Sequence, residues 1–123
     1  MSYRISEDGQ RPMRRLFKCL PTLPLNSDNE IDFQAADPAL LVMLADDAQT
    51  TTRVIQQGVG AIGHLLAQSG VAIEEGAIDS STVESLGYFL AEISDLSIVC
   101  RVLACKCRRE TVDYQPAGSS PID

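Results

Sequence analysis

The fold of this chain is decided by residues 81–109, STVESLGYFLAEISDLSIVCRVLACKCRR. Apolar and small side chains recur there at alternating steps of three and four, the spacing of one face of an α-helix. They are Leu86, Phe89, Ile93, Leu96, Cys100, Leu103 and Cys107. The first four residues have the S-x-x-E form of a capping box, which satisfies free backbone amides at a helix start. Arg108 and Arg109 suit the negative carboxyl end of a helix dipole. The stretch therefore predicts one long helix.

An earlier long helix is predicted from Asp37 to the residue before Gly70. Asp37 is a good N-cap, and Pro38 occupies the first helical position, where its missing amide costs nothing. The same alternating spacing is kept by Leu41, Leu44, Ala48, Thr51, Ile55, Gly58, Ile62 and Leu65. Gly70 predicts the stop. The link that follows contains Gly76 and, at about ten residues, is long enough to return the chain as a helical hairpin.

Two helices bury only one seam between them, and this sequence has apolar surface left over. Between Ile98 and Cys105 the only charge is Arg101, so the later helix is apolar nearly all round. Such a helix is buried on more than one side. We therefore predict an all-α fold, an antiparallel hairpin of two long helices that dimerises into a four-helix bundle. The predicted homodimer interface consists of Ile98, Val99, Val102 and Leu103.

The remainder of the chain predicts three parts. Residues 1–36 form an irregular N-terminal arm, because a glycine and three prolines interrupt any long helix. Within the arm, residues 13–20 (MRRLFKCL) fit either a short strand or a helical turn. A helical hairpin domain follows over residues 37–114, and proline, glycine and serine predict a flexible tail over residues 115–123.

Composition indicates a single globular domain. The chain has 123 residues, 45% of them hydrophobic, and a mean hydropathy of +0.01. No apolar run approaches the roughly 18 to 20 residues that a membrane span requires. The cations near the N-terminus are not followed by the apolar segment of a secretory signal. Four cysteines are too few and too clustered for a disulfide framework, so we expect a cytoplasmic protein with reduced thiols.

Charge is the strongest functional signal. Between Asn26 and Ile98 the chain carries twelve carboxylates and one cation, Arg53. Exposed helices ordinarily intersperse lysine and glutamate four residues apart, and this chain does not. We expect the acidic surface to bind a basic protein, through Asp46, Asp47, Glu74, Glu75, Asp79, Glu84, Glu92 and Asp95. The net charge of −7 argues against direct binding of nucleic acid.

In size and charge the chain resembles small acidic helical proteins that phages and mobile elements encode as inhibitors of host defence. The resemblance covers overall size and charge and includes no motif. It implies a non-enzymatic nucleic-acid mimic that blocks the nucleic-acid-binding groove of a basic partner. One alternative is a small dimeric regulator or adaptor that uses its basic arm, through Arg11, Arg14, Arg15 and Lys18. A further alternative is a nucleotide-binding enzyme.

The enzyme alternative depends on residues 58–63, GVGAIG, which match G-x-G-x-x-G. This run is similar to the dinucleotide-binding fingerprint, in which glycines admit a pyrophosphate between a strand and a helix. The preceding residues 51–57 (TTRVIQQ) are a poor buried strand, and residues 41–66 also fit one continuous helix. We favour small-residue helix packing for these glycines, and we predict no cofactor.

Other residues that could carry chemistry have simpler interpretations. Cys100, Cys105 and Cys107 cannot converge on one zinc ion from a continuous helix, because residues two apart point in nearly opposite directions. Cys100 and Cys107 are expected in the core. Cys105 lies off the predicted seam, where cationic neighbours and the carboxyl end of the helix act on the thiol in opposite directions, and a redox role or an intersubunit disulfide is the alternative. His64 has no nucleophile motif nearby, and Asp46 and Asp47 are expected on a solvated helix face without metal-loop spacing. We predict no metal and no catalytic residue.

Overall fold

The structure is a computed structural model, and it describes residues 11–115. The first ten residues of the arm and residues 116–123 of the expected flexible tail lie outside the described residues. The described part is mostly helical and contains no β-strand, which confirms the all-α prediction. Its elements are α1 (Pro12–Cys19), a 3-10 turn (Leu20–Thr22), α2 (Pro38–Gln68), α3 (Gly70–Glu74) and α4 (Ser80–Glu110).

Helix α2 starts as the sequence predicts. The Asp37 carboxylate accepts a hydrogen bond of 3.1 Å from the backbone amide of Ala39, and Pro38 is the first helical residue. The helix ends close to the predicted stop, but Gly70 begins α3 and does not adopt the left-handed conformation of a terminating glycine. That conformation occurs at Gly76, with φ of 81°, immediately after α3.

Helix α4 starts with a different cap from the predicted one. The prediction of a cap at Ser81 is wrong, because Asp79 is the N-cap. The Asp79 carboxylate accepts hydrogen bonds from the Thr82 amide at 2.8 Å and from the Ser81 hydroxyl at 3.0 Å. A carboxylate is favoured here because its charge also complements the positive end of the helix dipole. The helix ends at Glu110, beside the predicted Arg108 and Arg109.

Helices α2 and α4 form the most extensive packing in the described part of the chain. Near the end of α4, the Arg108 guanidinium donates to the Gln49 side-chain oxygen at 2.7 Å and to the Asp46 carboxylate. Both acceptors lie in the first half of α2. The end of α4 therefore packs against the first half of α2.

The hydrophobic core lies at one end of the α2–α4 pair, which we call the inner end. Helix α1, the start of α2 and the end of α4 meet there, and the most deeply buried large side chains are Leu16, Leu41, Leu44 and Cys107. Each buried leucine contributes about 1.5–3 kcal/mol. Cys100 and Cys107 are both in this core, which confirms their predicted placement. None of residues 56–99 is buried.

The arm is more ordered than the predicted irregular segment. Residues 12–22 are helical, because Pro12 suits the first helical position and Leu16 anchors α1 in the core. Farther along, the Asn26 side chain accepts hydrogen bonds from the amides of Asp28 and Glu30 in a tight turn. This turn returns the chain so that Phe33 packs against the core beside α4.

An ion pair fixes α1 on α2. The Arg15 guanidinium donates two hydrogen bonds to the Asp47 carboxylate, from Nε at 2.7 Å and from Nη2 at 2.6 Å. The Asp47 side chain is only 3% exposed, and that of Arg15 is 31% exposed. Parallel two-point contacts of this kind are stronger and more directional than single hydrogen bonds. The pair therefore sets both the position and the orientation of α1.

One polar atom at the same contact is unsatisfied. Thr51 is buried one turn beyond Asp47, and its hydroxyl oxygen has no hydrogen-bond partner among the described residues. Pro12, Met13 and Val54 surround it in a small gap between α1 and α2. A buried hydroxyl without a partner lowers the stability of the fold.

The ion pair predicts a large effect of Arg15→Ala. Removal of the guanidinium leaves the buried Asp47 carboxylate without this partner, and the free energy of unfolding should fall by about 3 kcal/mol. Urea denaturation followed by circular dichroism measures the change. Arg14→Ala is the matched control, since Arg14 is exposed on the same helix. Its effect should stay within about 0.5 kcal/mol. Equal effects of the two substitutions would contradict the assigned role of Arg15.

The unsatisfied hydroxyl predicts that Thr51→Val stabilises the protein. A methyl group of similar size replaces the hydroxyl, and the free energy of unfolding should rise by up to about 1 kcal/mol. Thr52→Val is the control, because the Thr52 hydroxyl donates to the Ala48 carbonyl at 2.9 Å. Thermal unfolding of both variants provides the comparison. A loss of stability in Thr51→Val would show that this hydroxyl is satisfied in solution.

Candidate functional site

The candidate site is the part of the α2–α4 pair beyond the core, residues 56–99, which we call the outer half. It contains six carboxylates and neither lysine nor arginine: Glu74, Glu75, Asp79, Glu84, Glu92 and Asp95. All six are exposed. Large apolar side chains are exposed among them, namely Leu65, Val71, Tyr88, Phe89, Ile98 and Val99. A surface that combines exposed apolar groups with charge of one sign is typical of protein–protein contact sites.

The six carboxylates occupy two regions of the outer half. Glu74 ends α3 and Glu75 follows it directly, so both lie at the tip of the molecule. Asp79 lies at the amino end of α4, and Glu84 is one turn into that helix. The other two, Glu92 and Asp95, lie farther along α4 toward the inner end. The structure thus brings four of the predicted binding residues toward the tip and leaves two in the middle of α4.

Asp46 and Asp47 lie at the inner end and differ from the prediction. Asp46 is exposed, as expected, but it accepts a hydrogen bond from Arg108 and is therefore compensated within the chain. Asp47 is buried, so its expected place on a solvated face is wrong. It lies in register with the buried Leu44 and Thr51, and Arg15 neutralises it. That register, at steps of three and four from core residues, is the sequence signal that could have placed Asp47 inside.

Asp79 has a structural role in addition to its place at the tip. The backbone amide of Thr82 is the main cause of a lowered pKa for the Asp79 carboxyl, and the side chains of Thr82 and Ser81 act in the same direction. All of these groups stabilise the charged form. Asp79 consequently fixes the start of α4 and, through it, the positions of the carboxylates that follow.

The glycine motif lies inside a continuous helix. Gly58, Gly60 and Gly63 are all within α2, so no strand precedes them and the turn required by a dinucleotide fingerprint does not form. A Cβ atom at any of the three would meet nothing within 4 Å. The predicted use of these glycines in close packing therefore does not occur between α2 and α4. His64, on the same stretch, is exposed and lies 3.1 Å from the Gln68 amide nitrogen.

The four cysteines differ in how deeply they are buried. Burial raises the pKa of the Cys100 and Cys107 thiols, and the positive charge of Arg108 partly opposes this at Cys107. Cys105 is exposed, in a shallow groove whose lining includes Arg101 and Arg108. All four cysteines of the chain are free thiols. Within residues 11–115, no group of three histidine, cysteine, aspartate or glutamate residues is placed to hold a metal ion.

The predicted dimer residues lie on α4 at different depths. Ile98, Val99 and Val102 are about half exposed or more, at 49%, 62% and 48%. Leu103 is partly buried against the core and is less available than predicted. The three exposed residues face away from the core, at the junction of the outer half and the inner end.

One of the predicted basic contact residues of the arm already forms an ion pair within the chain. Arg15 is bound to Asp47, which leaves Arg11, Arg14 and Lys18 of the predicted contact residues exposed. Arg11 and Arg14 line a groove with the exposed Phe17. This is a smaller basic surface than the sequence predicts.

Comparison with known protein families, curated proteins and solved structures finds no match. Over residues 11–115, none of the helices combines the length and the apolar character of a membrane span.

The cap predicts a pH dependence that Asp79→Asn removes. Because the folded-state pKa of Asp79 is lowered, its stabilisation is fully present above the unfolded-state pKa. It is lost as the pH falls through the folded-state value. Asparagine also caps helices but does not titrate in this range. Urea midpoints of the wild type and Asp79→Asn, taken from neutral to acid pH, should converge as the pH falls. A gap between them that does not change with pH would contradict this account.

Proposed function

We propose that this chain is a non-enzymatic interaction protein whose acidic outer half binds a basic, nucleic-acid-binding protein and inhibits it. The observation that carries the proposal is the cation-free outer half, with six exposed carboxylates among exposed apolar side chains. Such a surface is complementary to a groove that binds phosphates through lysine and arginine. Electrostatic complementarity of this kind speeds encounter and selects the partner.

The proposal extends to the assembly. The contact of Arg108, near the end of α4, with Asp46 and Gln49 in the first half of α2 supports an antiparallel hairpin. The exposed Ile98, Val99 and Val102 support a homodimer that completes a four-helix bundle. Two packed helices leave their outer faces uncovered, and a second pair of helices is a common way to cover them. Free thiols at all four cysteines support a cytoplasmic, reducing location.

The burial of the charges refines which residues belong to the binding surface. Asp47 is excluded because its carboxylate is buried with Arg15, and Asp46 is compensated by Arg108. Glu74, Glu75 and Glu84 make no ion pair within residues 11–115. These three residues can be changed without loss of the Asp79 cap, so they are the ones to test.

We expect that the triple substitution Glu74→Lys, Glu75→Lys and Glu84→Lys abolishes capture of the basic partner. Immobilised wild-type protein is incubated with lysate at low salt, and the recovered proteins are identified by mass spectrometry. A recovered partner should elute as the salt concentration rises, because exposed charges are screened within about 10 Å at 0.1 M salt. The purified partner should also lose its nucleic-acid binding when this protein is added.

Two control variants make the result specific. The first control is a triple variant that changes the net charge by the same amount at exposed positions outside the outer half: Asp28→Lys, Glu110→Lys and Asp113→Lys. Capture of the partner by this variant should persist. Arg11→Glu, Arg14→Glu and Lys18→Glu remove the basic arm surface, and capture should again persist. Loss of capture only in the arm variant would favour the regulator alternative. A partner that resists elution by salt, or that retains its nucleic-acid binding, would refute the proposed mechanism.

A further inference from the structure

Helix α4 carries a stripe of six exposed residues on the side that faces away from α2. The stripe consists of Glu92, Asp95, Val99, Val102, Lys106 and Arg109, all of them exposed. Their spacing alternates between three and four residues, which keeps them on one face of the helix. The same spacing forms the contact seam of a coiled coil. We call these six residues the α4 stripe.

The order of residue types along the α4 stripe is self-complementary. Two carboxylates come first, two valines lie at the centre and two cations come last. The midpoint of the stripe lies between Cys100 and Arg101. If a second copy of α4 lies antiparallel across this midpoint, each carboxylate of one copy faces a cation of the other, and the valines meet at the centre.

We propose that the α4 stripe is the contact between two copies of this chain, in an antiparallel register centred between Cys100 and Arg101. In this register Val99 lies opposite the partner subunit's Val102, and Asp95 lies opposite the partner subunit's Lys106. Glu92 lies opposite the partner subunit's Arg109, and twofold symmetry repeats every pairing. The inference rests on the homodimer proposed above and specifies its geometry.

Charge selects this arrangement over a parallel one. In a parallel pair Asp95 would face the partner subunit's Asp95, and Lys106 would face the partner subunit's Lys106. Like charges at such positions are destabilising, whereas opposite charges stabilise the pair.

The charged members of the α4 stripe are available for this contact. Glu92, Asp95 and Arg109 form no ion pair within residues 11–115. Lys106 is exposed, and its ammonium lies 6.0 Å from the centre of the Phe33 ring. The stripe is about 26 Å long at 1.5 Å per residue. Because only two valines per copy form its centre, the dimer should be weak and should dissociate more readily at high salt.

The test is a pair of charge-reversed variants. The first double variant, Glu92→Lys with Asp95→Lys, has a positive charge at every charged position of the stripe. The second double variant, Lys106→Glu with Arg109→Glu, has a negative charge at every one of them. Sedimentation equilibrium measures the dissociation constant of each variant alone and of an equimolar mixture. Each variant alone should dimerise at least about tenfold more weakly than the wild type, because four attractive pairs become repulsive. The mixture should form a one-to-one heterodimer, because its pairs are again opposite in charge.

Control experiments distinguish a wrong register from the absence of a dimer and from an effect on partner binding. Circular dichroism checks that both variants remain helical, and Glu74→Lys with Glu75→Lys supplies the same charge change off the stripe without weakening the dimer. Dimers of unchanged strength in both variants, or a mixture that stays monomeric, would overturn the register while leaving the proposed homodimer in place. A wild type that stays monomeric would overturn both. Partner capture by the Lys106→Glu, Arg109→Glu variant should persist, because neither residue belongs to the acidic outer half.

Discussion

Two helices packed side by side bury only the stripes that face each other, so long helices need a third element to cover their flanks. In this chain the third element is α1 with residues 20–36, and it covers only the inner end. The buried core extends as far as Ile55 on α2 and Cys100 on α4. Beyond those residues nothing in the described part of the chain covers the pair. The reach of the arm therefore divides the molecule into a packed end and an exposed one.

The Arg15–Asp47 ion pair holds α1 against α2 at the packed end. A buried ion pair contributes little net stability compared with an apolar contact of the same size, because both charges lose water. The pair acts more strongly against other placements of α1. A shifted α1 would leave the Asp47 carboxylate buried and unpaired, at a cost of several kcal/mol. We infer that the pair specifies one position for α1. The buried Thr51 hydroxyl beside it has no hydrogen-bond partner among the described residues, so the polar groups at this contact are incompletely satisfied.

Local sequence signals predicted those features that depend on near neighbours. Asp37 and Pro38 fix the start of α2 through their own backbone, and the seven-residue step between Cys100 and Cys107 fixes the core face of α4. The sequence does not distinguish a cap at Asp79 from one at Ser81, because both residue types are good N-caps. The hydrogen bonds to the Asp79 carboxylate identify Asp79 as the cap.

Features that depend on distant residues could not be predicted in the same way. The sequence pattern predicts a solvated Asp47 because its partner, Arg15, lies 32 residues earlier in a segment that is predicted to be irregular. The helical state of that segment depends on the burial of Leu16, which is a tertiary contact. The acidic surface was predictable as a count of charges, whereas the division between compensated and uncompensated carboxylates required the fold.

The two proposals assign the acidic residues of the outer half to different contacts. In the antiparallel dimer, Glu92 and Asp95 are compensated by cations of the partner subunit, so they no longer contribute to an uncompensated surface. Glu74, Glu75 and Glu84 lie beyond the paired span and keep their charge. Because the two α4 helices run in opposite directions, these acidic clusters lie at opposite ends of the dimer. Glu84 lies about 25 Å from the midpoint at 1.5 Å per residue, so the two clusters are about 50 Å apart. A dimer of this kind presents two identical acidic sites, and a partner with two basic sites at that spacing gains affinity from both.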